Sequence, residues 1–427
     1  VSPVLPGTPL VLGPQHKSSP PESWGSSAET FLAGNPTIDG LQTPLLTVDA
    51  GAVASNTATM ADWAKRAGLH LAPHGKTTMA PALWRRFLDA GAWGVTLATP
   101  WQMQVARTAG VRRILLANEL LDPVAIRWVV EELRRDPEFE LVCWADSVAG
   151  VRLLDDLAGR ASPARPLDVL VELGAPGGRT GARTVSEALE VADALSRSRF
   201  LRLAGSGGYE GAAAHDRSPE GLERVRSYLE RLLELQRAVR DRCSGERRPL
   251  LTAGGSAYFD LVAEVFAPET GSSTVILRSG AYQLHDDGYY ARVSPMGATA
   301  TGPRLVPALH GWARVLSRPE PELAILDAGK RDLPFDEGLP VAQRLLAPGP
   351  EESPDVLDGA RVVALNDQHL FLRLRDGTRE NALPVGCVVR FGISHPCTAF
   401  DKWRLIPMID DADSDLPRIV ELLPTWF

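Results

Sequence analysis

Eight short apolar runs of β type, separated by helical segments, constrain this chain more than any other feature. They are LHLAPHG (69–75), GVTLATP (94–100), RILLANE (113–119), ELVCWAD (140–146), LDVLVELG (167–174), LRLAGSGG (201–208), LLTAGGS (250–256) and TVILRSG (274–280). The segments between them carry apolar residues at 3–4 spacing, most plainly PEGLERVRSYLERLLELQRAVRDR (219–242). Continuous apolar runs alternating with helices mean parallel strands buried on both faces. Eight such units suit a (β/α)8 barrel over residues 41–288. A doubly wound open sheet is the alternative that the pattern alone leaves open.

The flanks read differently. Residues 1–40 are rich in Pro, Gly and Ser and predict an irregular arm. TPLLTVD (43–49) predicts a short strand that opens the barrel segment and leads into a helix around Ala54–Ala67. From Tyr289 to Phe427 short apolar runs are broken by Gly, Pro and Asp, which predicts an all-β domain over 289–427.

Composition excludes some partners. A net charge of −8 argues against nucleic acid and anionic membrane surfaces. No apolar run approaches the roughly 20 residues of a membrane span, and no basic-then-apolar leader opens the chain. The cysteines at 143, 243, 387 and 397 show no disulfide-framework spacing and no CxxC, so a reducing, cytoplasmic setting is expected.

In a barrel, polar residues at strand C-termini gather at one mouth. The first barrel run ends in APHGKTT, which puts Lys76 at that mouth. A lysine there is either a rim charge or a desolvated amine; burial lowers its pKa and makes it a nucleophile and base. The last two runs end in TAGGS and RSGAY, and their glycines let backbone N–H groups approach a phosphate. Glycines at turns are also just turns. A lysine facing a phosphate cradle nevertheless suggests pyridoxal 5'-phosphate.

At this point PHGKTTMAP, RTG (179–181), GYEG (208–211), AGGSAYFD (253–260), LRSGAY (277–282), LDAGKRD (326–332) and SHPCTAFDKW (394–403) matter together. In this order they resemble the D-serine dehydratase and D-threonine aldolase family, fold-type III pyridoxal-phosphate enzymes with an alanine-racemase-like barrel. The chain looks most like the bacterial amino acid deaminase (D-serine deaminase-like) branch. The resemblance implies that Lys76 carries the cofactor as a Schiff base and moves the substrate's α-proton. It implies that Arg179 lies near the cofactor's phenolic oxygen and Tyr209 beside its ring. Gly255, Ser256, Gly280 and Tyr282 would bind phosphate. One departure stands out: Gly174 occupies a position where relatives often carry Asp.

His395 and Cys397 are two apart, so an extended strand would point both side chains to one face. Alone the pair reads as packing or as two metal ligands. The resemblance makes it a His-x-Cys zinc pair, with another divalent metal as the alternative, and implies a head-to-tail homodimer completed by the β-domain. Hydroxide is a poor leaving group, and a Lewis acid with open coordination positions would accept it. His369, in NDQHLFL, is a candidate proton relay or an ordinary satisfied histidine. His74 would orient Lys76 or cap the strand end, while His285 and Asp286 carry no assigned role. The expected activity is a pyridoxal-phosphate- and zinc-dependent dehydratase (ammonia-lyase) converting D-serine or D-threonine to a 2-oxo acid and ammonia. D-threonine aldolase is the alternative; a racemase or a non-catalytic pyridoxal-phosphate carrier ranks below both.

Overall fold

The structure, a computed structural model, describes residues 9–243, 247–298, 300–346, 354–377 and 382–427. The first strand, β1 (Leu45–Asp49), precedes eight short parallel strands. These are β2 (His70–Leu71), β3 (Val95–Leu97), β4 (Arg113–Glu119), β5 (Glu140–Ala145), β6 (Leu167–Leu173), β7 (Leu201–Gly208), β8 (Leu250–Ala253) and β9 (Thr274–Leu277). Their order in the sheet is β2-β9-β8-β7-β6-β5-β4-β3, each strand beside its sequence neighbour. The seam between β2 and β3 is closed by Trp93 N–H to Leu71 O (2.7 Å), Thr96 N–H to Pro73 O (2.9 Å) and a parallel bridge at His74 and Thr96. The sheet is therefore a barrel, and the open-sheet alternative falls.

The helices begin where the sequence supplies caps. Thr99, Asp122, Ser147, Thr184 and Ser218 each accept a backbone N–H from the first turn that follows. Thr184 and Glu187 form a reciprocal capping box. The helix Pro219–Val239 buries Val225, Leu229, Leu232 and Leu235 along one stripe against the barrel. Side chains of both signs of the sheet are covered: Leu115, Val142, Leu170 and Ile276 fill the interior, while Ile114, Leu141, Val169 and Val275 face the helices. That double burial is why the runs are continuous rather than alternating.

The second sheet contains β10 (Leu309–Glu320), β11 (Leu323–Leu326), β12 (Val341–Leu345), β13 (Arg361–Leu365), β14 (Leu370–Arg373), β15 (Val388–Gly392), β16 (Leu405–Ile409) and β17 (Ile419–Pro424). Its spine is β13-β14-β11-β10-β1-β16-β17, with β15 and β12 branching from β10. Strand β1 thus corrects the sequence reading: placed in the barrel segment, it pairs antiparallel with β10 and parallel with β16. All five of its residues are buried, so its composition matched either sheet. The helix Ala50–Arg66 then crosses from this domain to the barrel.

The N-terminal arm, built of short turns and the helix Ala28–Ala33, docks on the β-domain. Leu12, Ile38 and Leu41 pack with Trp312, Leu405 and Ile409. The first eight residues of the arm lie outside the described residues. Among the described residues no helix is long and apolar enough to cross a membrane.

Candidate active site

A cavity of about 460 Å³ opens at the C-terminal ends of the barrel strands, where the β-domain meets them. A larger one, about 850 Å³, lies at the opposite end among Trp93, Arg112 and Glu138. Barrel chemistry resides at the C-terminal face; there the first cavity, and an adjoining one of about 490 Å³ that shares Arg179, Tyr209, Gly255, Ser256 and His395, gather the residues that the sequence singled out.

From β2, the turn Gly75–Thr77 carries Lys76 into the cavity. Burial lowers the Lys76 pKa from its ordinary value; Arg179 and Arg278 lower it further, and Cys397 opposes them. His74 lines the same wall; burial, and after it the charge of Lys76, holds its pKa well below the ordinary value. From the loop after β6 come Arg179, whose guanidinium lies 4.7 Å from the ring centroid of Tyr209, and Thr180. Tyr209 follows β7, and burial pushes its phenol up to about 12.

The glycine loops contribute less freely than the sequence implied. Gly254 and Gly255 donate their N–H groups to Glu210 (2.8 and 2.5 Å), a carboxylate with no exposed surface. Gly255 still lines the cavity beside Ser256, whose hydroxyl accepts from Ala281 N–H at 3.2 Å. Gly280 lines it too; a β-carbon there would lie 2.7 Å from the backbone N and O of His74, so β9 and β2 could not approach with a larger residue. Tyr282 is buried in the barrel–helix core, its hydroxyl without a partner, and is not part of the cavity wall. His369 is exposed on the β13–β14 turn and does not line the cavity of its own chain.

His395 and Cys397 do reach the cavity, by a different local structure from the one expected. Strand β15 ends at Gly392, and Pro396–Thr398 form a turn of 3₁₀ helix, Pro396 standing at its first position. Cys397 Sγ lies 3.4 Å from Thr77 Oγ1, 320 positions away in sequence. Asp336 accepts from Thr398 Oγ1 (2.7 Å) and pairs with His395 Nδ1 (2.8 Å). Burial opposes charge on His395, yet Cys397 and Asp336 together raise it to about 9. The LDAGKRD block buttresses this turn: Trp403 Nε1 donates to Asp332 O at 2.9 Å, and Lys17 from the arm pairs with the Asp332 carboxylate at 3.0 Å.

Several site residues were missed by sequence reasoning. Arg278 is 1% exposed, donates to Thr252 Oγ1 (2.7 Å) and Gly208 O (2.5 Å), and lies over the Trp144 ring. Its signal was an arginine directly after an apolar strand. Tyr290 lines the cavity beside His395, its N–H held by the buried Asp286 at 2.9 Å. Glu119, Asp146 and Glu172, at the ends of β4, β5 and β6, bring carboxylate oxygens within 4.8 Å of one another. They hold the Arg179 loop: Thr180 Oγ1 donates to Glu172 (3.2 Å) and Gly181 N–H to Asp146 (3.2 Å).

The cavity suits a polar aromatic group bearing a phosphate. His74 Nδ1, Trp144 Nε1 and Arg278 Nε are buried without hydrogen-bond partners in the protein, and two arginines supply positive charge beside a lysine.

Comparison with known proteins gives the same answer. Residues 48–266, just over half of the chain, match the family model of the alanine racemase N-terminal domain. Residues 308–409 match the putative serine dehydratase domain. The chain is 27% identical to D-threonine aldolase of Arthrobacter sp over 84% of its length and 87% of that protein. It is 24% identical to D-threo-3-hydroxyaspartate dehydratase of Delftia sp. strain HT23, over 84% and 92%. The crystal structure of D-threonine aldolase from Filomicrobium marinum superposes with a TM-score of 0.73 at 25% identity, covering 90% of this chain and 95% of that one. Two variants of a D-threo-3-hydroxyaspartate dehydratase also share the fold. One has a histidine replaced by alanine (TM-score 0.74, 20% identity, 93% and 98% covered). The other has alanine for a cysteine two positions on, in a metal-free form (0.70, 21%, 92% and 99%). The chain belongs to the alanine racemase N-terminal domain family, within the fold-type III pyridoxal-phosphate proteins, and carries a serine-dehydratase-like β-domain.

Proposed function

We propose that the chain is a lyase that eliminates water from a D-β-hydroxy amino acid such as D-serine or D-threonine, releasing a 2-oxo acid and ammonia. Its cofactors in this reading are pyridoxal phosphate and Zn²⁺ or another divalent metal. The observation that carries it is the meeting of Cys397 with the Lys76 turn, through Thr77 Oγ1 at 3.4 Å. When bound, pyridoxal phosphate stabilises negative charge at the substrate's α-carbon, and a divalent ion stabilises charge on the β-oxygen.

The chain's own groups do the rest. Lys76, its pKa lowered first by burial, offers an amine in the cavity placed to accept the α-proton. Arg179 and Arg278, which both line the cavity, would hold anionic substituents there. Asp336 engages Nδ1 of His395, so Nε2 would be the ligand atom. An imidazole and a thiolate favour Zn²⁺ over Mg²⁺ and leave positions for substrate oxygen. The dehydratase variants support this reading, because a histidine and a cysteine two positions on repeat the spacing of His395 and Cys397. We extend the reading to a head-to-tail homodimer, for which the exposed Trp101 and Val124, in the first turns of the helices after β3 and β4, and Leu121 before the second of them offer apolar surface. The cysteines at 143, 243, 387 and 397, with no disulfide-framework spacing, fit a cytoplasmic enzyme.

Retro-aldol cleavage is the second reading, favoured by the likeness to the Arthrobacter aldolase. Incubating the protein, pyridoxal phosphate and Zn²⁺ with D-serine and D-threonine separates them. Pyruvate and 2-oxobutanoate with ammonia are expected; glycine and acetaldehyde from D-threonine would transfer the assignment to an aldolase. No turnover of either, with no metal retained, would leave only a cofactor carrier. Lys76→Ala is expected to abolish both turnover and the visible absorbance of bound cofactor.

A further inference from the structure

The loop after β6, GAPGGRTGAR (174–183), presents Arg179 and Thr180 to the cavity. Four of its ten residues are glycine, and Gly177 and Gly181 have φ of +71° and +100°. Such a glycine-rich segment has much conformational freedom to lose on ordering. Arg183 removes it. Its Nη1 donates to the carbonyls of Thr180 and Gly181 (2.9 Å each), and its Nη2 donates to those of Gly178 (3.2 Å) and Arg179. Four consecutive carbonyls thus converge on one planar guanidinium, and the Arg179 side chain is turned outward over the Tyr209 ring.

Gly174 belongs to the same device. A β-carbon at this position would fall on Nη1 of Arg183 and on the carbonyl oxygens of Thr180 and Gly181. A glycine here keeps open the volume that the guanidinium and the folded-back carbonyls fill.

We propose that Arg183 is a positioning residue that sets the place of Arg179, and that Gly174 exists to admit its guanidinium. The proposal rests on Arg179 being a cofactor-binding residue. Lysine cannot substitute, because a single ammonium does not present a rigid fork to four carbonyls.

The test titrates pyridoxal phosphate into the cofactor-free full-length chain and its variants, following visible absorbance, with the thermal midpoint recorded for each. Arg179→Ala and Arg183→Ala should each weaken cofactor binding on the order of tenfold, and Arg183→Lys should resemble Arg183→Ala. Gly174→Ala should weaken binding similarly, and the double variant Gly174→Ala/Arg183→Ala should be little worse than either single one, since both break one clamp. The midpoint without cofactor should stay near the parent's for Arg179→Ala and fall by a similar small amount for Arg183→Ala and Gly174→Ala, which loosen the same loop. If Arg179→Ala weakens binding and Arg183→Ala does not, the positioning role is wrong. If Arg179→Ala is silent, the cofactor reading of Arg179 fails and the proposal with it. Full rescue by Arg183→Lys would reduce Arg183 to a general charge.

Discussion

Replacing Glu172 by Gln should stabilise the protein at neutral and alkaline pH and flatten its pH dependence. Glu172 ends β6 with 3% exposure, against Glu119 and Asp146. Burial, and after it the charge on Glu119, pushes its carboxyl from the ordinary 4.5 up to about 8. Between those values the folded chain keeps a proton that the unfolded chain has released. Stability therefore falls as pH rises through that window; the contribution is intact below the unfolded value and lost above the folded one. At about 1.4 kcal/mol per pH unit, the loss accumulated by pH 7 is about 3 kcal/mol. Glutamine keeps the shape of the protonated acid, donates to Glu119, accepts from Thr180 and never ionises. Urea unfolding followed by tryptophan fluorescence from about pH 5 to about pH 9 should give curves that nearly coincide at the acid end. By neutral pH the variant should lead by about 3 kcal/mol. Parallel curves across the whole range would refute the argument, since the proton would not be held by this carboxyl.

Other perturbations probe separate parts of the site. Cys397→Asp replaces the soft ligand with a hard one, so Zn²⁺ affinity should fall relative to Mn²⁺ and the glycine-to-2-oxo-acid ratio from D-threonine should rise, read by metal titration and product analysis. Glu210→Gln leaves one of the Gly254 and Gly255 N–H groups facing a donor; a loss of about 2 kcal/mol in urea unfolding is expected. Gly205→Ala should cost about 3 kcal/mol or more in the same measurement, because φ is +137° and the new β-carbon meets the Leu250 carbonyl across β7 and β8.

Much of the barrel was legible in the chain. Each of the eight β runs contains the strand found there, because a strand buried on both faces must be apolar throughout and its covering helices must be amphipathic. Lys76 and the glycine turns were legible for a related reason: a barrel delivers every strand's C-terminal end to one mouth. The β-domain was visible only as texture, and β1 was grouped with the barrel segment because a five-residue strand buried throughout fits either sheet.

What the tertiary structure alone decided is which distant groups meet. The pairing of Cys397 with Thr77 crosses 320 positions. Glu210 takes the two glycine N–H groups that the sequence had left for phosphate. His369 ends on an exposed turn, Tyr282 inside the core, and Arg278 inside the barrel. The physical reason is that periodicity and turn chemistry are local, written over a few residues. The direction of a side chain at a strand end, and the partner it finds there, depend on register and on how two domains pack, which no short window of sequence contains.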